Sequence, residues 1–335
     1  MAEVINRRRN IFVNSEEYHQ SNGDVNLLLP ALDFNVNQNE MMRIALESFV
    51  MPKTWYNVNA YNNIFYIRTT GTPDTYQALT IPAGNYSTTT IKTAIKTAFT
   101  DVSAGFSALD VSRNDANGIL TLDFSAVAAP LWTNASDDIV CFQVPPARQG
   151  LGVSVEVSGN GFYSDSFAIL GGKPIKYINE TTKVALQKVG TSRVGFFPMQ
   201  LQTMKAIHMV TNLQTHSYQT PHMDVNSQNT TLVPSNIFAK IPVYLQETSS
   251  FSPITYQDSG ANTYSVDLQN KNINSIVISL TDDKGRPLPQ NANQAEFGLL
   301  SYLATFKWLA ISTPEVGKPL GFLNNYRQMN LLREN

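Results

Sequence analysis

The stretch MRIALES (Met42–Ser48) decides the fold, because its side chains alternate with a period of two. Met42, Ile44 and Leu46 fall on one face, Arg43 and Glu47 on the other. That is an antiparallel strand with one face in a core and the other wet or against a partner. The same alternation recurs further out. GVSVEVSGNG (152–161) sets Val153, Val155 and Val157 against Ser154, Glu156 and Ser158. NTYSVDLQ (262–269) sets Tyr264, Val266 and Leu268 against Ser265, Asp267 and Gln269.

The punctuation agrees with strands. Asn117-Gly118 stands directly before an apolar run in SRNDANGILTLDF (112–124), a strong hairpin signal. Asp282-Asp283-Lys284-Gly285 separates Ile276/Ile278/Leu280 from Pro287-Leu288, another hairpin or strand corner. One segment changes period. In LTIPAGNYSTTTIKTAIKTAF (79–99) a strand runs into the turn Pro82–Asn85, after which Ile91, Ile95 and Phe99 recur every four residues. A short amphipathic helix over 88–99 is expected there, capped by Ser87 or one of Thr88–Thr90, with Lys92 and Lys96 off the apolar stripe. Strands between turn clusters, with one helix, predict an all-β protein, an antiparallel β-sandwich or jelly roll.

A break at 188–200 (KVGTSRVGFFPMQ) divides the pattern into two β blocks, 39–190 and 195–312. Residues 1–38 read as an irregular, Asn-rich N-terminal arm and 313–335 as a C-terminal tail. Periodicity leaves two arrangements open: two sandwiches, or one jelly roll with a long insertion.

Bulk properties narrow the function. The 335 residues are enough for one large or two ordinary domains. Only 15% are charged, against about 25% in a typical soluble domain. Few charges among many Asn, Thr, Ser and Gln suit a surface covered by neighbouring subunits. The net charge of −2 provides no overall field for nucleic acid or anionic membrane. The one compact basic run is Arg7-Arg8-Arg9, read either as a solvated terminus or as an arm touching an acidic partner or packaged nucleic acid. Cys141 is the sole cysteine, which excludes an intramolecular disulfide and suits a reducing compartment. Residues 1–30 lack a signal-peptide pattern and no apolar run approaches ~20 residues, so a soluble chain without a transmembrane segment is expected.

Candidate chemistry is sparse. His19, His208, His216 and His222 include no H-E-x-x-H pair, so no metal is expected. The calcium-like string Asp115, Asn117, Gly118 fails at both ends, with Arg113 in the first ligand position and Phe124 in the last. Asp137-Asp138 and Asp282-Asp283 are adjacent pairs in turns, whereas glycoside hydrolysis needs carboxyls facing each other across a cleft. No nucleophile elbow or phosphate loop is present. Cys141 has apolar neighbours and reads as an inert thiol. Trp55, Trp132 and Trp308 read as core or interface aromatics, with a sugar-stacking platform as the alternative. No catalytic residue, metal or cofactor is expected, and the chain reads as a non-enzyme.

Four segments carry a family resemblance. NIFVNSEEYHQSNGDVNLLLP (10–30) is followed by ESFVMPKTWYNVNAYNNIFYI (47–67), then LTIPAGNYSTTTI (79–91), and late in the chain KNINSIVISLTDDKGRPL (271–288). In this order they resemble jelly-roll virion proteins of large DNA viruses, virophages and Polinton-like viruses, over roughly 10–100 and 265–310. The resemblance implies a viral jelly roll and a structural virion protein, of minor capsid or penton type ahead of a major capsid protein. The implied partners are copies of itself and other capsid proteins, and the implied location is the virion, assembled in host cytoplasm or nucleus. Nucleic acid would enter only through the Arg7–Arg9 run. Arg7, Arg8, Arg9, Tyr326 and Arg327 are the candidate interface residues of the two arms. A carbohydrate- or receptor-binding β-sandwich is the alternative function.

Overall fold

A computed structural model describes residues 4–18, 24–30, 32–69, 75–128, 131–132, 138–140, 166–173, 186–213, 217–219, 233–243, 253–260, 263–268, 272–288 and 300–312. The chain opens with β1 (Ile5–Asn14), β2 (Val25–Leu28) and β3 (Glu40–Met51). β4 (Ile64–Thr69) and β5 (Thr75–Thr80) follow, then α1 (Thr90–Val102), β6 (Asp110–Arg113), β7 (Leu120–Asp123), β8 (Asp138–Val140), the single turn α2 (Phe167–Leu170), β9 (Gln187–Val189) and β10 (Ser192–Val194). The last part holds β11 (Ala206–Thr211), β12 (Ser217–Gln219), β13 (Val233–Ser235), β14 (Ile237–Pro242), β15 (Ile254–Gln257), β16 (Ser265–Leu268), β17 (Ser275–Asp282) and β18 (Leu303–Ser312).

Pairing along the chain is far from sequential. One sheet runs β1-β18-β3-β15, with β16 beside β15 on the same flank of β3, and a second runs β14-β11-β17-β2. Every ladder in both is antiparallel. Let β15 and β16 count as one interrupted strand, and letter the sandwich strands B to I in chain order. The sheets then read B-I-D-G and C-H-E-F, the strand order of a jelly roll. The all-β sandwich expected from the alternation is therefore present, as one jelly roll.

The inner faces follow the period of two. β17 alternates half-buried and buried along its length, sending Ile276, Ile278 and Leu280 inward. β3 sends Met42, Ile44 and Leu46 inward, then changes phase and sends Phe49 and Met51. The change is a β-bulge: Phe306 and Thr305 of β18 face Leu46 and Ser48, leaving Glu47 as the extra residue. Trp308, Tyr302, Phe49 and Met209 complete this core.

Residues 52–205, between strands D and E, supply a second core. Two small sheets, β5-β4-β8 and β6-β7-β10-β9, enclose it with α1. Ile91, Ile95 and Phe99 are the buried stripe of α1, as their spacing predicts. Phe99 lies 5.5 Å from the Phe65 ring, 5.3 Å from Phe106 and 5.6 Å from Phe124. The helix starts where Ser87 Oγ accepts from the N–H groups of Thr89 and Thr90 (3.3 and 3.2 Å) and Thr90 Oγ1 accepts from Ser87 N–H (2.9 Å). This reciprocal cap satisfies donors that the first turn leaves open. The Asn117-Gly118 turn joins β6 to β7, with Gly118 at φ +72° and its N–H donating to Asn114 O at 2.7 Å.

Two parts of the sequence-based division change. The strands do not separate at 188–200 into successive sandwiches, because residues before the insertion pair with residues after it. Nor do the described residues of 1–38 form an arm: β1 is an edge strand paired with β18, and β2 is an edge strand on β17. Ser15 closes the β1 ladder, its N–H donating to Tyr302 O (3.0 Å) and its Oγ accepting from Tyr302 N–H (2.8 Å). The tail at 313–335 lies outside the described residues.

Candidate functional site: the junction of the two cores

Three of the recognisable segments meet where the insertion leaves the jelly roll. Val58 exchanges two backbone hydrogen bonds with Gly84, at 3.1 and 2.9 Å. Beside it the Asn57 side chain imitates one more ladder position: Nδ2 donates to Tyr86 O (2.7 Å) and Oδ1 accepts from Tyr86 N–H (2.9 Å). Asn57 N–H donates in turn to Asn85 Oδ1 at 3.1 Å. Asn59 and Asn62 fold the next turn, with Asn62 Oδ1 accepting from Asn59 N–H (2.8 Å) and Asn62 Nδ2 reaching Thr203 Oγ1 (2.9 Å) on the returning chain. Short amides that bond to backbone serve such turns well. Asn62 thus ties the outgoing chain to the returning one, while Asn57 and Asn59 shape the turns of WYNVNAYNN.

The third segment locks this turn onto the sandwich. At the end of β17, Asp282 Oδ1 accepts from the N–H groups of Lys284 (2.9 Å) and Arg286 (2.8 Å), while Oδ2 receives the Arg286 guanidinium at 2.7 Å. Both residues are buried, Asp282 to 1% and Arg286 to 7% exposure. Arg286 also donates to Tyr61 O at 2.6 Å, and its guanidinium lies 4.5 Å from the centre of the Tyr61 ring. Tyr61 returns a hydrogen bond from its hydroxyl to Pro287 O at 2.5 Å. Lys284 stands 4.9 Å over the Phe167 ring of α2, so the same hairpin touches the insertion at two places. Tyr61 packs in the jelly-roll core although it belongs to the inserted stretch. A buried, hydrogen-bonded ion pair of this kind fixes geometry; removing one partner leaves an uncompensated charge. The junction is a mechanical joint.

The structure places the other sequence candidates as follows. Arg7, Arg8 and Arg9 lie on β1 and pair with Glu40 (2.9 Å), Glu47 (3.2 Å) and Asp33 (2.9 Å) of the same chain. Neither a loose terminus nor a free basic arm describes them. The Glu40 carboxyl is held below the usual carboxylate range, chiefly by the Asn37 N–H, then by the Asn6 side chain and Arg7. Tyr326 and Arg327 fall outside the described residues, as do Asp137, Cys141, His19, His216 and His222. His208 is buried on β11. Among the described residues no group of three metal-ligating side chains converges. Trp55, Trp132 and Trp308 are 6%, 2% and 0% exposed, which overturns the sugar-stacking alternative built on them. Trp132 stacks on Phe124 at 3.8 Å and Trp308 meets Phe34 edge-on at 5.7 Å. Lys53, in the MPKTWYNV segment, has its ammonium pushed below the usual lysine range by burial. No helix among the described residues is long and apolar enough to cross a membrane.

The strand order defines a jelly-roll protein. No family model matches the chain, and no curated protein does. Among solved structures, the mavirus penton protein aligns with 90% of this chain and 98% of its own, at 9% identity and a TM-score of 0.41. The Sputnik virophage structure aligns with 90% and 97%, at 13% identity and a TM-score of 0.30. Both likenesses are loose, and the fold assignment stands on the strand order.

Proposed function

We propose that the chain is a non-enzymatic structural protein of a virion, a jelly-roll subunit of minor capsid or penton type. The observation that carries the reading is one B-I-D-G/C-H-E-F sandwich with a second core inserted between D and E. The resemblance implies that main capsomers of that lineage usually have two full jelly rolls, against the one in this chain. The low charge and the polar strand faces support contact with other capsid proteins, both copies of this chain and others. The buried Asp282 supports a non-catalytic role, since both its carboxylate oxygens are occupied by donors within its own hairpin. The Arg7–Arg9 run is neutralised within the chain, which weighs against packaged nucleic acid as its partner. Particles assembled in host cytoplasm or nucleus would carry the protein.

Mass spectrometry and density maps of purified particles test this. The protein should be present in fixed proportion to the main capsomer, with its density at five-fold vertices or beneath capsomers. A monodisperse monomer at high concentration that is absent from purified particles would overturn the reading.

A further inference from the structure

Strand β1 is held in two different ways along its length. Its second half is anchored by packing: Val13 is buried in the jelly-roll core, Ile11 packs against it, and Ser15 closes the ladder on Tyr302. Its first half has almost no apolar anchor. Of residues 5–10 only Arg7 is half-buried, and Ile5 is 51% exposed. A bulge at Asn6 also interrupts the register with β18. Successive like charges on an exposed edge strand repel one another and favour leaving the sheet.

What opposes this is a carboxylate for each arginine, drawn from three places. Arg7 reaches Glu40 at the start of β3 and Asn35 O (2.9 Å), with its guanidinium 5.5 Å from the Trp308 ring centre. Arg8 reaches Glu47 at the β3 bulge and Asn10 Oδ1. Arg9 reaches Asp33 in the loop after β2 and lies 6.0 Å over the Phe34 ring. Further charged groups lie on the neighbouring strands. Lys307 of β18 shares Glu47 at 3.0 Å and lies 4.0 Å from Asp258 after β15, while Arg43 of β3 is paired with Asp267 of β16. Glu40 also accepts from Asn6 Nδ2 and from Asn37 N–H, both at 2.9 Å.

We propose that residues Ile5–Asn10 are a charge-held latch on the edge of the jelly roll: when Asp33, Glu40 and Glu47 are neutralised or screened, this half-strand leaves β18 while Ile11–Ser15 stays. Release uncovers the backbone edge of β18 over Lys307–Ile311, the row that Ile5 and Arg7–Asn10 occupy when shut. The latch stands independently of the virion reading.

Hydrogen exchange on the full chain at pH 7 tests it, by comparing amides 5–10 with 11–15. Replacing the three carboxylates (D33N, E40Q and E47Q together) mimics their protonated state. It should lower protection over 5–10 by about tenfold, the combined effect of three partly exposed pairs, and leave 11–15 unchanged. Raising NaCl to about 1 M, where the screening length is about 3 Å, should act in the same direction on the unaltered chain. This second arm serves if the triple variant fails to fold. Unchanged protection over 5–10 in salt, or equal losses over 5–10 and 11–15, would overturn the latch.

Discussion

The jelly roll and its insertion bury their apolar residues by opposite routes. In the jelly roll the partners are remote: β18, at the end of the described chain, lies between β1 and β3 from its beginning. Its core forms only when both sides of the insertion are in place. The insertion is more local, with α1, β6 and β7 adjacent in sequence and Phe99 touching Phe106 and Phe124. Contacts close in sequence need less loop closure before they stabilise anything. The comparison predicts that the insertion can be loosened without dismantling the sandwich, whereas cutting the joint between them should weaken both.

The largest expected effect sharpens that contrast. Phe99→Ala removes the ring at the centre of the insertion's aromatic cluster and should cost about 3–5 kcal/mol. Hydrogen exchange should rise over 64–67 and 120–124 while 275–282 and 303–312 stay protected. Equal loss in both regions would mean that the two cores unfold as one. Next comes the joint. Arg286→Ala leaves Asp282 buried without its cation and should cost about 3 kcal/mol in urea unfolding, with lost protection on both sides. The double change Asp282→Leu with Arg286→Met should recover part of it, because two apolar groups leave no orphaned charge.

The smallest effect is a pH dependence confined to the sandwich. The folded-state carboxyl of Glu40 lies below its ordinary value, so it stabilises the protein at pH above the ordinary carboxylate range. That contribution is lost as pH falls through the folded value. Urea midpoints should therefore decline with acidification less steeply in Glu40→Gln than in the unaltered chain. Parallel slopes would remove Glu40 from the account.

Much of this architecture was legible in the residues, and the rest was hidden for identifiable reasons. The alternation in 42–48 and the four-residue spacing in 91–99 read correctly, because each depends only on near neighbours. The bulge at Glu47 was invisible, since it is defined by what stands opposite on β18. β1 reads as an arm because Arg7 and Arg9 share the face of Ile11 and Val13, where an alternation pattern expects apolar residues. Their guanidinium groups lie over the Trp308 and Phe34 rings instead. The joint was half legible. Its motifs stood out, but nothing in the spacing of Tyr61, Asp282 and Arg286 said that they meet.

The central claim is that residues before the insertion pair with residues after it, in one jelly roll. Val50 and Leu303 are directly opposed on β3 and β18, and both are exposed, at 40% and 56%. In a Cys141→Ser background, the pair Val50→Cys and Leu303→Cys should close an intramolecular disulfide on mild oxidation, read by intact mass and peptide mapping. Two thiols that stay free in the folded monomer would contradict the jelly roll and restore two successive β blocks.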